Sequence, residues 1–109
     1  MKSLADIANI IDLVVKIASS FSEVQKVIVF GSYARGEANI QSDVDVAVVH
    51  EEGVRSSLRR DFKKEFSKFY EGVIEVQFTY LSEEAYEKDN HVLNVARSVR
   101  EEGVVLWSR

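Results

Sequence analysis

The chain has 109 residues, of which 46% are hydrophobic and 29% charged, and its formal net charge is −4. This length suits a single domain over residues 1–109, and the acidic balance argues against binding nucleic acid through a general basic surface. The absence of cysteine excludes disulfides and thiolate metal sites, and His50 and His91 have no spacing partner for a zinc site. No apolar stretch reaches membrane-spanning length, so a soluble, cytoplasmic protein is expected.

The first predicted element is a helix from Ser3 to about Phe21, because apolar residues recur there at helical spacing. Ser3 followed by Asp6 resembles a capping box at its start. The apolar surface of this helix is wider than one narrow stripe. Two interpretations fit: a well-covered core helix, or a helix buried both against the sheet and against a partner subunit, as in a homodimer.

The next stretch, Val27 to Val49, is predicted to form two strands around a turn of small residues. The first strand covers Val27–Phe30 and stops at Gly31-Ser32, which a short helix follows. The second strand covers Asp43–Val49, and its alternation places Asp43 and Asp45 on one face. Two carboxylates at one end of a sheet repel each other unless a cation lies between them.

A second long helix is predicted from Arg55 to Tyr70. Its apolar side carries Leu58, Phe62, Phe66 and Phe69, and its other side is basic. The basic residues are Arg55, Arg59, Arg60, Lys63, Lys64 and Lys68. These cations are either a solvated helix face or a strip that binds a nucleotide, an RNA or an acidic partner.

The remaining elements complete the predicted fold. A third strand, Val73–Tyr80, places Glu75 on its polar face, and two further helices and a short strand, Val104–Trp107, follow. Half-polar strands favour one covered face and one open face. The fold class is therefore α+β (mixed α/β), with a mixed sheet of three or four strands and helices packed on one face.

The open face carries residues suited to phosphate chemistry. Gly31 allows close backbone approach, and Ser32 adds a hydroxyl and an N–H group at a strand-to-helix turn, where phosphates bind well. Asp43 and Asp45 can coordinate one Mg²⁺, and Glu75 on the neighbouring strand can complete a three-carboxylate cluster. Such a cluster around phosphate-bound Mg²⁺ is typical of two-metal phosphoryl or nucleotidyl transfer.

At these residues the sequence resembles a known family. Gly31-Ser32, Ala34-Arg35-Gly36 and Ser42-Asp43-x-Asp45 are similar to the signature of the DNA-polymerase-β-like nucleotidyltransferases, in the form of the minimal nucleotidyltransferases. The order of elements resembles that fold across nearly the whole chain. The resemblance implies a Mg²⁺-dependent transferase that uses ATP or another NTP and binds two metal ions when the nucleotide is bound.

Residue by residue, the resemblance implies that Gly31 and Ser32 hold the triphosphate and that Asp43 and Asp45 hold the metals. Glu75 matches the third carboxylate by strand position only, and the family often has Asp there. Arg35 either contacts phosphate or forms a structural salt bridge, with Glu37 or another acid nearby. Asp43, Asp45 and Glu75 are thus the predicted catalytic and metal-binding residues, and Gly31, Ser32 and Arg35 the nucleotide-binding residues.

The resemblance also suggests an acceptor. In length the chain resembles the antitoxin of toxin–antitoxin pairs in which a minimal nucleotidyltransferase adds AMP to a HEPN-family ribonuclease. This implies transfer of AMP from ATP to a hydroxyl group of a HEPN partner. Two alternatives stay open: an inactive antitoxin that neutralises its partner by binding alone, and a transferase acting on a small molecule such as an antibiotic.

Overall fold

A computed structural model describes residues 1–88 and 95–109 of the chain. After one 3-10 turn, Leu4–Ile7, the helices and strands are α1 (Ala8–Ser20), β1 (Val24–Phe30), α2 (Ser32–Arg35), β2 (Val44–His50), α3 (Leu58–Phe69), β3 (Val76–Ser82), α4 (Glu83–Lys88), α5 (Val95–Glu102) and β4 (Val104–Ser108). At the chain's start the Ser3 N–H group donates to Asp6 Oδ2 at 2.8 Å, which confirms that Asp6 caps the first turn.

The four strands form one mixed sheet in the order β3-β2-β1-β4. β1 pairs antiparallel with both β2 and β4, whereas β2 and β3 are parallel. Parallel neighbours need a crossover connection, and α3 supplies it. This topology places β2 inside the sheet and confirms the predicted α+β class with a mixed sheet.

The main core lies between one face of the sheet and helices α1 and α3. Its sheet side is formed by the alternating valines of β1 and β2, and the helices contribute apolar side chains at helical spacing. The buried residues include Val27, Val29, Val44, Val46, Val48, Ile10, Val14, Ile17, Leu58, Phe62 and Phe66. The strand faces predicted from alternation are thereby confirmed.

One residue of the predicted apolar stripe lies outside this core. Phe69 is 63% exposed, whereas Leu58, Phe62 and Phe66 are buried. Phe69 is the last residue of α3, and its ring lines a surface groove with Leu13 and Ile17 of α1. The helical period is correct, but Phe69 faces the surface groove and not the core.

The second face of the sheet differs from the expectation that helices pack on one face only. α4 and α5 cover part of it, and Ala96 and Val99 are buried against Ile28 and Phe30 of β1. The physical reason is that the run Val27–Phe30 is apolar on both faces, so its second face also needs a cover. The predicted site lies on this same face, where the first residues of β2 meet the end of β1.

Several boundaries differ from the predictions: β1 begins at Val24, three positions before the predicted start, and α3 begins at Leu58, three positions after it. β3 begins at Val76, three positions after the predicted start, so Glu75 immediately precedes the strand. The first residues of the helix predicted from His91 to Glu101 lie outside the described residues, and its described part is α5. Within the described parts of the chain, no helix has both the length and the hydrophobicity of a membrane-spanning segment.

Candidate active site

The end of β1 lies directly against the first residues of β2. Phe30 is in register with Asp45, and Gly31 follows with φ +74° and ψ −154°, a conformation essentially confined to glycine. A Cβ atom on Gly31 would lie 2.5 Å from Asp45 Oδ2. The missing side chain therefore lets the Asp45 carboxylate pack against the backbone of the turn.

The turn itself is held by its own short helix. The Arg35 N–H group donates to the Gly31 carbonyl at 3.1 Å, and the Glu37 N–H group donates to the Ser32 carbonyl at 2.9 Å. Tyr33 is 1% exposed, so its ring anchors the turn in the core. Ser32 therefore stands at a fixed position at the start of α2, directly after Gly31.

The two aspartates share the face opposite the main core. Both are half-buried, and Val44 between them points into the core. Burial raises the pKa of the Asp45 carboxyl, the negative charge of Asp43 raises it further, and the guanidinium of Arg35 partly offsets both effects. Asp45 thus carries an electrostatic cost that a bound cation would relieve.

Glu75 lies beside this pair, but it does not join it directly. The Val44 N–H group donates to the Glu75 carbonyl at 2.9 Å, which holds Glu75 next to the start of β2. The Gln77 amide nitrogen lies 3.3 Å from Asp43 Oδ2 and 3.3 Å from Glu75 Oε1, and it donates to both. Among residues 1–88 and 95–109, no three His, Cys, Asp or Glu side chains are arranged to hold a metal ion.

Arg35 forms two ion pairs. Its Nε donates to Glu37 Oε2 at 3.1 Å, and its Nη1 donates to Glu102 Oε2 at 3.2 Å. The hydrogen bond to Glu37 is the main reason that the pKa of Arg35 is raised. Of the two predicted roles, the structure contains the salt bridge, and Glu102 extends it from α2 to α5. A role of Arg35 in nucleotide binding stays a prediction.

Comparison with known proteins identifies the family. The sequence model of the nucleotidyltransferase domain matches residues 11–106. The chain belongs to the nucleotidyltransferase domain family. The predicted resemblance to nucleotidyltransferases is thereby confirmed.

Individual relatives agree with this assignment. The nucleotidyltransferase domain is 40% identical over 52 residues to "Putative protein adenylyltransferase MJ1379" of Methanocaldococcus jannaschii. The match covers 48% of this chain and 52% of that protein, so the chain spans about half the length of this relative.

Two solved structures share the fold of the nucleotidyltransferase domain. The crystal structure of "a putative nucleotidyltransferase" from Sulfolobus solfataricus has a TM-score of 0.63 at 26% identity, over 96% of this chain and 83% of that one. A chain of the tri-AMPylated Shewanella oneidensis HEPN toxin in complex with an MNT antitoxin has a TM-score of 0.59 at 20% identity, over 94% and 72% of the two chains. At 20% identity the second likeness concerns the fold alone.

The oxygen ligands at this site suit Mg²⁺. Mg²⁺ in nucleotide sites is bound through one or two carboxylates together with substrate phosphates and water. Asp43 and Asp45 supply two carboxylates on one face, and the pKa of Asp45 is raised first by burial and second by the negative charge of Asp43. The residues present therefore fit a hard divalent cation beside a phosphate, with Glu75 held nearby by Gln77.

Two residues at the site were missed by the sequence analysis. Gln77 is in register with Asp45, so the parallel pairing of β2 and β3 is the signal that could have identified it. Glu102 belongs to α5, and nothing in the local sequence connects it with Arg35. Its contact depends on the packing of α5 across the second face.

Proposed function

We propose that this nucleotidyltransferase domain transfers AMP from ATP to a hydroxyl group on a partner protein, with Mg²⁺ as cofactor. The observation that carries the proposal is the contact between the Gly31 backbone and the Asp45 carboxylate. It joins the turn suited to phosphate with the carboxylates suited to Mg²⁺, and a triphosphate–Mg²⁺ complex needs both at one place.

On the nucleotide side, Gly31 and Ser32 bind the triphosphate. The absence of a Cβ at Gly31 leaves the backbone accessible, and Ser32 adds its hydroxyl and N–H groups. Asp43 and Asp45 would hold Mg²⁺ beside this turn, and the charge of the ion would stabilise the leaving pyrophosphate.

On the acceptor side, the hydroxyl oxygen of the partner forms a bond to the α-phosphorus of ATP. The bond between that phosphorus and the bridging oxygen breaks, and pyrophosphate leaves with the electron pair. Glu75, which shares the Gln77 amide with Asp43, takes the proton of the hydroxyl. The residues of the chain act mainly by positioning the two reactants in line, which is the main requirement of phosphoryl transfer.

The partner that we propose is a HEPN-family protein, which gives this chain an antitoxin role. Support comes from the Shewanella oneidensis complex of an AMPylated HEPN toxin with an MNT antitoxin. One chain of that complex shares the fold of this chain. The name of the Methanocaldococcus jannaschii relative also refers to protein adenylylation. A homodimer and a self-sufficient domain over residues 1–109 stay predictions.

The test is transfer of label from [α-³²P]ATP to a co-purified HEPN protein, with and without Mg²⁺. We expect Mg²⁺-dependent labelling of the partner in the wild type and none in the Asp43→Ala/Asp45→Ala double variant. A Lys64→Ala variant, changed at an exposed position of α3, serves as the matched control and should label normally. Undiminished labelling in the double variant would contradict the assigned site.

One observation favours a second candidate, an antitoxin that neutralises its partner by binding alone. Glu75 is hydrogen-bonded to Gln77, and the described residues contain no three-carboxylate cluster. In that case the double variant would still neutralise the toxin, and the wild type would transfer no label. Label transfer and toxin neutralisation, measured for the wild type and the double variant, therefore separate the two candidate functions.

A further inference from the structure

A groove of about 420 Å³ runs between α3 and the outer edge of β3. Arg59, Arg60 and Lys63 form its helix side, and residues 75–78 with Tyr80 form its strand side. Glu75 stands at one end of the groove, so the groove leads directly to the acceptor side of the proposed site.

The strand side of the groove offers backbone groups for pairing. β3 is the last strand of the sheet, and no strand in the described residues pairs with its outer edge. In a parallel pair alternate residues bond to the neighbour, and the Glu75 carbonyl accepts from β2. The N–H and C=O groups of Val76, Phe78 and Tyr80 therefore point outward, into the groove.

The helix side of the groove carries excess positive charge. Lys63 forms no ion pair with any described residue, and Arg60 is 79% exposed with Asp61 3.6 Å away. Arg59 lies over the Tyr80 ring at 5.5 Å, where the aromatic face holds its guanidinium along the groove. Among the described residues that line the groove, Glu75 is the single acid, although the whole chain has a net charge of −4.

We propose that this groove binds an extended acidic segment of a protein partner. The segment pairs with the outer edge of β3 as an added strand, and its carboxylates contact Arg60 and Lys63. The proposal rests on the proposed function, since the added strand would run to Glu75 and bring an acceptor hydroxyl to the site.

A peptide fits the groove better than RNA does. A free strand edge recognises another backbone, whereas single-stranded nucleic acid needs an array of cations and exposed rings for stacking. Here three cations are available, and the rings of Phe78 and Tyr80 pack against Phe62 in the core. Charge complementarity and the free edge thus select one occupant.

The experiment uses a fluorescein-labelled peptide of alternating glutamate and valine as the probe, without nucleotide. Anisotropy should show binding to the full chain that Arg60→Glu/Lys63→Glu weakens about tenfold, because two attractions become repulsions. Lys64→Glu, the neighbouring residue outside this groove, should change the affinity less than about twofold. When the same peptide is titrated into the chain and followed by NMR, the amide resonances of Val76, Phe78 and Tyr80 should shift.

Three outcomes would overturn the proposal. The peptide could bind equally well to the Arg60→Glu/Lys63→Glu variant, or it could bind unchanged when alternate peptide nitrogens are methylated and cannot donate. A single-stranded oligouridylate could also bind more tightly and displace the peptide, which would assign the groove to nucleic acid. Calorimetry with ATP and Mg²⁺ tests the nucleotide site separately, so either proposal can fail without the other.

Discussion

Substitution of Gly31 by alanine tests the central contact of the proposed site. The added Cβ would lie 2.5 Å from Asp45 Oδ2, whereas ordinary contact begins near 3.4 Å, so the carboxylate would have to move by 3.4 − 2.5 = 0.9 Å. The conformation of Gly31 adds strain of about 1–3 kcal/mol for a residue with a side chain. Overpacking against Asp45 adds about 1–3 kcal/mol.

The expected result is a loss of both stability and activity. Urea denaturation of Gly31→Ala should give a free energy of unfolding lower by the sum of these two effects. Transfer of AMP should fall about 100-fold, because a displacement of roughly 1 Å in a positioning group has about that effect on rate. Both quantities are measured on one preparation, with labelled ATP for transfer.

The matched control is Gly53→Ala. Gly53 also has a positive φ, +69°, but a Cβ there would have no heavy atom within 4 Å. This variant should therefore show the backbone strain without the overpacking, and its transfer activity should be normal.

A double-mutant cycle isolates the contact. In an Asp45→Ala background the nearest remaining side-chain atom of residue 45 is Cβ, at 3.5 Å from the added methyl group, so Gly31→Ala should lose its overpacking cost there. The coupling energy between the two positions should be about 1–3 kcal/mol. Equal costs of Gly31→Ala in both backgrounds, or equal costs of Gly31→Ala and Gly53→Ala, would refute the reasoning.

Three further predictions concern charge. Asp45→Asn should raise the free energy of unfolding at pH 7 without Mg²⁺ by about 0.2–1 kcal/mol, measured by urea denaturation. The raised pKa of Asp45 means that its charged form, present above that pKa, destabilises the fold, so wild type and variant should converge as pH falls. Glu102→Gln should lower stability by less than about 1 kcal/mol, because the ion pair with Arg35 is partly exposed, and hydrogen exchange should increase at α5 first. Burial raises the pKa of Tyr80 to about 12, so the ultraviolet titration of Tyr80→Phe should lack the last phenolate step. The stability that the Tyr80 proton contributes to the wild type should be lost as pH rises from about 10 to 12. A titration unchanged by the substitution would contradict the assignment.

Much of the nucleotide side of the site could be predicted from local sequence. Gly31-Ser32 at the end of an apolar strand and the spaced Asp43 and Asp45 define a turn and a strand face without knowledge of tertiary packing. Their side-by-side placement follows because the two strands pair antiparallel. Because Phe30 is in register with Asp45, the Asp45 carboxylate lies against Gly31, the next residue of the chain.

The parts that escaped prediction depend on contacts distant in sequence. Gln77 reaches Asp43 because two parallel strands share a register, and register cannot be deduced from either strand alone. Glu102 meets Arg35 only after α5 has packed on the second face of the sheet. The exposure of Phe69 likewise depends on a distant contact, since its ring lies in the surface groove with Leu13 and Ile17 of α1.

The mixed pairing of β2 has a consequence for the order in which the site opens. Gly31 and the aspartates lie in or beside two antiparallel strands close in sequence, whereas Gln77 lies in an edge strand that follows a long crossover, with Glu75 just before it. Edge strands open at lower free energy than central ones, so transient detachment of β3 would remove the acceptor side while the nucleotide side stays assembled. A partner strand added to β3 would suppress that opening. Binding of the acceptor protein would then hold Glu75 and Gln77 in place beside the aspartates.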